Sequence, residues 1–131
     1  MAVTNERVIG WKLIKGSVDN RAFAVFVGSL QTDQRDVLLL DNASIHKTAL
    51  VERVIDECGL TPLYLPPYTP EFQPIEHCFC VLKTAYMATQ PHGEKPSEED
   101  VARRLESCLE SLTSQALPNM FRACWDRAVT A

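Results

Sequence analysis

Asp41 and Glu76 each stand where an acid can be carried by the end of a regular element. Residues 37–40 are four consecutive apolar residues that run straight into Asp41, the pattern of a buried parallel strand ending in an acid. Ligands of open α/β sheets gather at such strand ends. Downstream, 63–65 reads as a second short strand, and Pro66, Pro67, Tyr68, Thr69 and Pro70 force an irregular loop. Pro74 suits a first helical position, where a missing N–H costs nothing, so Glu76 falls in the first turn of a helix. Both carboxylates are therefore expected at one rim of one sheet, where they could share a hard divalent cation. Mg²⁺ takes one or two carboxylates and keeps several waters. The blander reading makes Asp41 a turn cap and Glu76 an acid that favours the helix dipole, and on residue types alone the two readings stand level.

Two other constellations fail on geometry. His77, Cys78 and Cys80 have the residue types of a zinc site, but residues one and two apart on a helix point in different directions and cannot converge on a tetrahedral ion. Asp41, Ser44 and His46 contain the types of a hydrolase triad, but they lie too close in sequence to come from separately positioned elements.

The elements that would hold Asp41 and Glu76 follow from periodicity. Residues 8–14 alternate well enough for a strand, and Gly16 with Asn20 marks the turn after it. Asn20 is a credible N-cap for a helix carrying Phe23, Phe26, Val27 and Leu30. Leu50, Val51, Val54, Ile55 and Cys58 form one face of a second helix, closed by Gly59. On the helix that begins at Pro74, Ile75, Cys78, Phe79, Leu82 and Tyr86 share a face. A linker over 90–96 precedes a capping box at 97–100 and a helix with Val101, Leu105, Cys108, Leu109 and Leu112 inward. A last helix from about Met120 carries Phe121, Cys124, Trp125 and Ala128. The order β-α-β-α-β-α-α-α makes this an α/β chain.

With 131 residues the chain suits one domain with its own core. A formal charge of −4 argues against a surface that tracks DNA throughout, because phosphate binding rests on clustered Lys and Arg. Arg103 and Arg104, the nearest approach to a basic cluster, lie in an otherwise acidic helix and read as a solvated face. Five cysteines without regular spacing, and no signal-peptide pattern, fit a reducing compartment. No apolar run is long enough to cross a bilayer, so no membrane partner is expected.

Two words carry a family pattern: Asp41-Asn42-Ala43-x-x-His46, and residues 65–77, Leu-Pro-Pro-Tyr-Thr-Pro-Glu-x-x-Pro-Ile-Glu-His. Over about residues 8–86 the chain resembles the mariner-type branch of the DDE transposases. That resemblance implies a ribonuclease H-like fold in which two aspartates and a third acid hold two Mg²⁺ or Mn²⁺ ions for DNA strand cleavage and joining. By position Asp41 resembles the second acid and Glu76 the third. The first has no counterpart; Asp19, Asp33 and Asp36 read as turn residues. Asn42 and His46 are then residues that orient Asp41 or reach a phosphate, although a histidine bonded to loop backbone is an equal reading of His46. His77 is a supporting neighbour of Glu76, and Tyr68 with the prolines sets a rigid loop rather than stacking on DNA. Lys83 reads as a solvated lysine. Gln73 and Phe79 depart from the family, which favours Asn and Trp there.

The resemblance divides the chain into a partial catalytic core over 1–89 and a helical extension over 90–131. It implies an N-terminally shortened domain, inactive in strand cleavage by itself and a weak partner of DNA. Localisation would be nuclear in a eukaryote and cytoplasmic otherwise, not secreted. In the family the strand matching 8–14 is separated from that matching 37–40 by two strands without counterpart here. Either 8–14 pairs beside 37–40, or open sheet edges invite self-association. The alternative from a different class is a domesticated, non-catalytic α/β interaction module.

Overall fold

The computed structural model describes residues 1–90, 93, 95–113 and 115–130; of the 90–96 linker, residues 91, 92 and 94 lie outside the described residues. The chain is mixed α/β: strands β1 (Ala2–Val3), β2 (Val8–Gly10), β3 (Val37–Leu40) and β4 (Thr61–Tyr64), and helices α1 (Asn20–Gly28), α2 (Ala49–Glu57), α3 (Pro74–Ala88), α4 (Glu98–Leu109) and α5 (Ala116–Thr130). Short 3-10 turns at Ser44–Lys47 and Pro70–Phe72 precede α2 and α3.

β3 and β4 form a parallel ribbon with Val37 opposite Thr61 and Leu40 opposite Tyr64. A parallel pair needs a crossover, and α2 supplies it. Thr48 caps α2 by accepting from the Val51 N–H, and Gly59 closes it at φ +71, a conformation glycine adopts without a Cβ clash. Helices α1 and α2 pack together, and Ala24, Val27, Leu40, Val51, Ile55 and Leu60 form their shared core with the ribbon. Leu40 is the buried end of β3, whereas Val37, Leu39 and Leu63 are exposed, so the other face of the ribbon is bare.

A second core lies around Cys78, Leu112 and Leu117, where α3 meets α5 and the end of α4. Met1, Val3 and Val8 of the β1–β2 hairpin and Val81 and Met120 pack against it. At its other side the hairpin lies close to α1 and the residues that follow it: a Cβ on Gly10 would meet Phe26 Cε2 at 3.7 Å and Leu30 Cδ2 at 2.5 Å.

Several expectations are corrected. The strand expected over 8–14 is confined to Val8–Gly10, because its partner β1, which periodicity did not reveal, is two residues long and offers no ladder beyond Gly10. Among the described residues it does not pair beside β3, which joins only β4. The second ribbon strand begins at Thr61, not at Leu63, and contains Pro62. The amides of Thr61 and Leu65 donate to Asp36 and Leu40 across the ribbon. By strand alternation the nitrogen of Pro62 faces the outer side, where a proline costs no ladder bond.

The cap of α1 is Asp19, which accepts from the Ala22 N–H at 2.8 Å; Asn20 is already helical. α5 begins at Ala116, earlier than expected, and buries Leu117 and Cys124 while Trp125 stays 70 % exposed. Phe79 is likewise exposed, since each stands one residue, about 100° of helix, away from the buried Cys78 or Cys124. Arg103 is exposed and lies 3.5 Å from Asp100, but Arg104 is half-buried, so the pair does not form one solvated face. Among the described residues no helix is long and apolar enough to cross a membrane.

Candidate active site

Asp41 follows directly on β3, and the chain turns there because its Oδ1 accepts from the Ala43 N–H at 3.0 Å, a local bond that Asp makes readily to backbone two residues on. The turn leads into the 3-10 segment that carries His46. Nδ1 of His46 lies 2.6 Å from the same Oδ1, with the imidazole largely covered and the carboxylate half exposed. That nitrogen has no well-directed hydrogen bond, so the pair is a close polar contact rather than a linear bond. The ring of His46 leans on Phe23 of α1, with centroids 4.2 Å apart, and the Tyr64 hydroxyl of β4 donates to the His46 carbonyl at 3.1 Å. Burial pushes the Tyr64 hydroxyl pKa up, and the charge of Glu52 adds to it, so the group stays a donor at neutral pH. Lys47 Nζ sits 5.2 Å from the centre of the Tyr64 ring. Both close contacts of Asp41 fall on Oδ1, which leaves Oδ2 for other partners.

Glu76 comes from the other side of the site. The loop after β4 is closed by Thr69 Oγ1, which donates to the Pro66 carbonyl at 2.7 Å, and Tyr68 adopts φ +60 with its side chain almost wholly in solvent. The prolines and a left-handed residue set this path; the tyrosine ring packs on nothing, so the rigid-loop role expected of it does not extend to its side chain. Pro66, Pro67 and Pro70 are exposed, while Pro74 is buried at the start of α3 as its missing N–H allows. Gln73 holds the N-cap position without a side-chain cap bond. Glu76 is exposed in the first turn, and the half-buried His77 is its neighbour.

A cavity of about 640 Å³ joins the two sides. Asp41, His46 and Glu76 all contribute to its wall, whereas Asn42 and His77 do not. Much of the remainder is apolar: β3, Phe26 of α1, Leu30 just beyond that helix, Ile9 of β2 and Phe79 of α3. Phe79, which is exposed, thus lines a cavity. Oxygen donors of this kind suit a hard cation. Among the described residues, however, no three His, Cys, Asp or Glu side chains gather closely enough to hold a metal ion. Asp36 also lines the cavity, but at the opposite end of β3 from Asp41; among the described residues Asp41 and Glu76 have no third acid beside them, which does not fit a resident pair of ions.

Phe23 and Tyr64 are the site residues that periodicity did not single out. Their apolar spacing marks them only as helix-face and strand residues, and nothing local tells that both meet the 3-10 turn.

A family model described as DDE superfamily endonuclease matches residues 1–98. No curated protein and no solved structure matches the chain.

Proposed function

Since the chain belongs to the DDE superfamily of endonucleases, we propose that it is a segment of a mariner-like transposase catalytic domain of ribonuclease H-like fold, whose ancestral activity is metal-dependent DNA strand cleavage and transfer. The observation that supports this most is that Asp41, at the end of a parallel strand, and Glu76, in the first turn of α3, line one cavity. In this reading both acids hold Mg²⁺ or Mn²⁺, with Oδ2 of Asp41 the free oxygen. His46 positions Asp41 through its contact at Oδ1. When bound, such an ion offsets charge on phosphate oxygens and favours ionisation of water. With two acids in place of three, the chain alone binds at most one ion and does not cleave strands.

Mn²⁺ titration followed by electron paramagnetic resonance tests the reading. The expected result is one weak site, lost in both Asp41→Asn and Glu76→Gln. Binding unchanged in both variants would remove the basis for pairing these acids. The alternative, a non-catalytic α/β interaction module, is favoured by the edge of β3 that has no strand partner among the described residues.

A further inference from the structure

Tyr64 is the last residue of β4 and stands opposite Leu40 in the ribbon register, so strand pairing brings it beside the residue that precedes Asp41. The Leu65 N–H donates to the Leu40 carbonyl at 2.8 Å, and from Pro66 onward the chain leaves the ribbon for the loop that leads to Glu76. The end of β4 therefore borders both acid-bearing segments.

The half-buried Tyr64 ring packs against the core shared by α1, α2 and the ribbon, with Lys47 Nζ 5.2 Å from its centre. Its hydroxyl takes the His46 carbonyl as acceptor at 3.1 Å. Among the described residues this is the one hydrogen bond that ties the 3-10 segment Ser44–Lys47 to another element, and the segment has no side-chain cap. Phe23 touches the imidazole as well, but by apolar contact, which has no preferred direction. A hydrogen bond weakens steeply out of line, so the hydroxyl fixes where the backbone of the turn lies. A covered tyrosine hydroxyl needs some acceptor. Here the acceptor belongs to the residue whose Nδ1 meets Oδ1 of Asp41 at 2.6 Å.

We propose that Tyr64 is a positioning residue for Asp41: by holding the His46 carbonyl, its hydroxyl sets the 3-10 turn so that the imidazole engages Oδ1 and leaves Oδ2 free. A carboxylate ordered in advance loses less freedom when it takes a ligand. The use of this order rests on the reading of Asp41 and Glu76 as ligands of one cation; the order itself needs no ion.

Tyr64→Phe tests the role, because it keeps the ring and removes one donor. Amide hydrogen exchange followed by nuclear magnetic resonance reads the turn directly, at the Ala43 N–H held by Asp41 Oδ1 and at the His46 N–H held by the Ala43 carbonyl. Both are expected to exchange about fivefold faster in the variant, whereas the Cys78 and Val81 amides beside the other core are not. Mn²⁺ binding followed by electron paramagnetic resonance should weaken by about two- to fivefold, and saturating Mn²⁺ should in turn slow exchange at Ala43. Leu112→Val, placed in the other core, should lower the urea midpoint and move neither the Ala43 exchange nor the Mn²⁺ affinity. Unchanged exchange at Ala43 and His46, an equal rise at every amide, or an unchanged affinity in Tyr64→Phe of a protein that binds Mn²⁺ would overturn the proposal. If the unaltered protein binds no Mn²⁺, the cation reading of the acids falls, and amide exchange alone decides whether Tyr64 positions Asp41.

Discussion

Nδ1 of His46 lies 2.6 Å from Oδ1 of Asp41 while its ring leans on Phe23, so one imidazole links the strand-end acid to helix α1. The 3-10 turn has no side-chain cap of its own, and its position depends on this ring and on the Tyr64 hydroxyl.

His46→Ala is accordingly expected to cost about 1–2 kcal/mol, through lost ring packing and a loosened turn. His46→Phe should recover most of that. Urea unfolding midpoints measure both, and an unchanged midpoint in the alanine variant would mean the ring holds nothing.

Cys78 offers a second readout. It is fully buried, and burial, with the neighbouring Cys124 adding to it, pushes its thiol up to about 11. The unfolded chain, with the ordinary thiol value, loses its proton first as pH rises. Stability from this group is therefore complete below about pH 9 and declines between about 9 and 11, by on the order of 2 kcal/mol. Chemical denaturation across that range should show the decline in the native sequence and a shallower one in Cys78→Ala. At neutral pH iodoacetamide should modify the exposed Cys80 well before Cys78.

Tyr68 holds φ +60 with its side chain in solvent, so its conformation costs energy that no contact returns. Tyr68→Gly should raise stability by up to about 1 kcal/mol, and Tyr68→Phe should leave it unchanged. A loss of stability in the glycine variant would show that the tyrosine is needed for the fold.

The two cores can be weighed separately. Ile55 and Leu117 are each almost wholly buried, in different clusters. Alanine at either should cost about 2–5 kcal/mol, and the double variant should be additive within about 0.5 kcal/mol. Marked non-additivity in denaturant titrations would reveal coupling between the clusters.

What the sequence disclosed depended on how local its cause was. Val37–Leu40 with Asp41, the Gly59 closure of α2 and Pro74 opening α3 rest on a few adjacent residues, and all three stand where patterning put them, although β3 is not the buried strand its apolar run implied, since Val37 and Leu39 are exposed. β1 did not show, since two residues carry no period. Pro62 hid the start of β4, because only the finished ribbon reveals which side its nitrogen faces. On α3 and α5 the apolar stripe is wider than the core, so spacing could not tell that Cys78 and Cys124 go inward while Phe79 and Trp125 do not. The cavity shared by Asp41 and Glu76 follows from long-range packing, although the residue types pointed to both acids.

Pro62 also gives the ribbon a polarity of growth. Its outer margin lacks an amide hydrogen at the second residue of β4, so another chain docking there would find a gap in the donor row. Repeated stacking of strands into a fibre is thereby discouraged on that side.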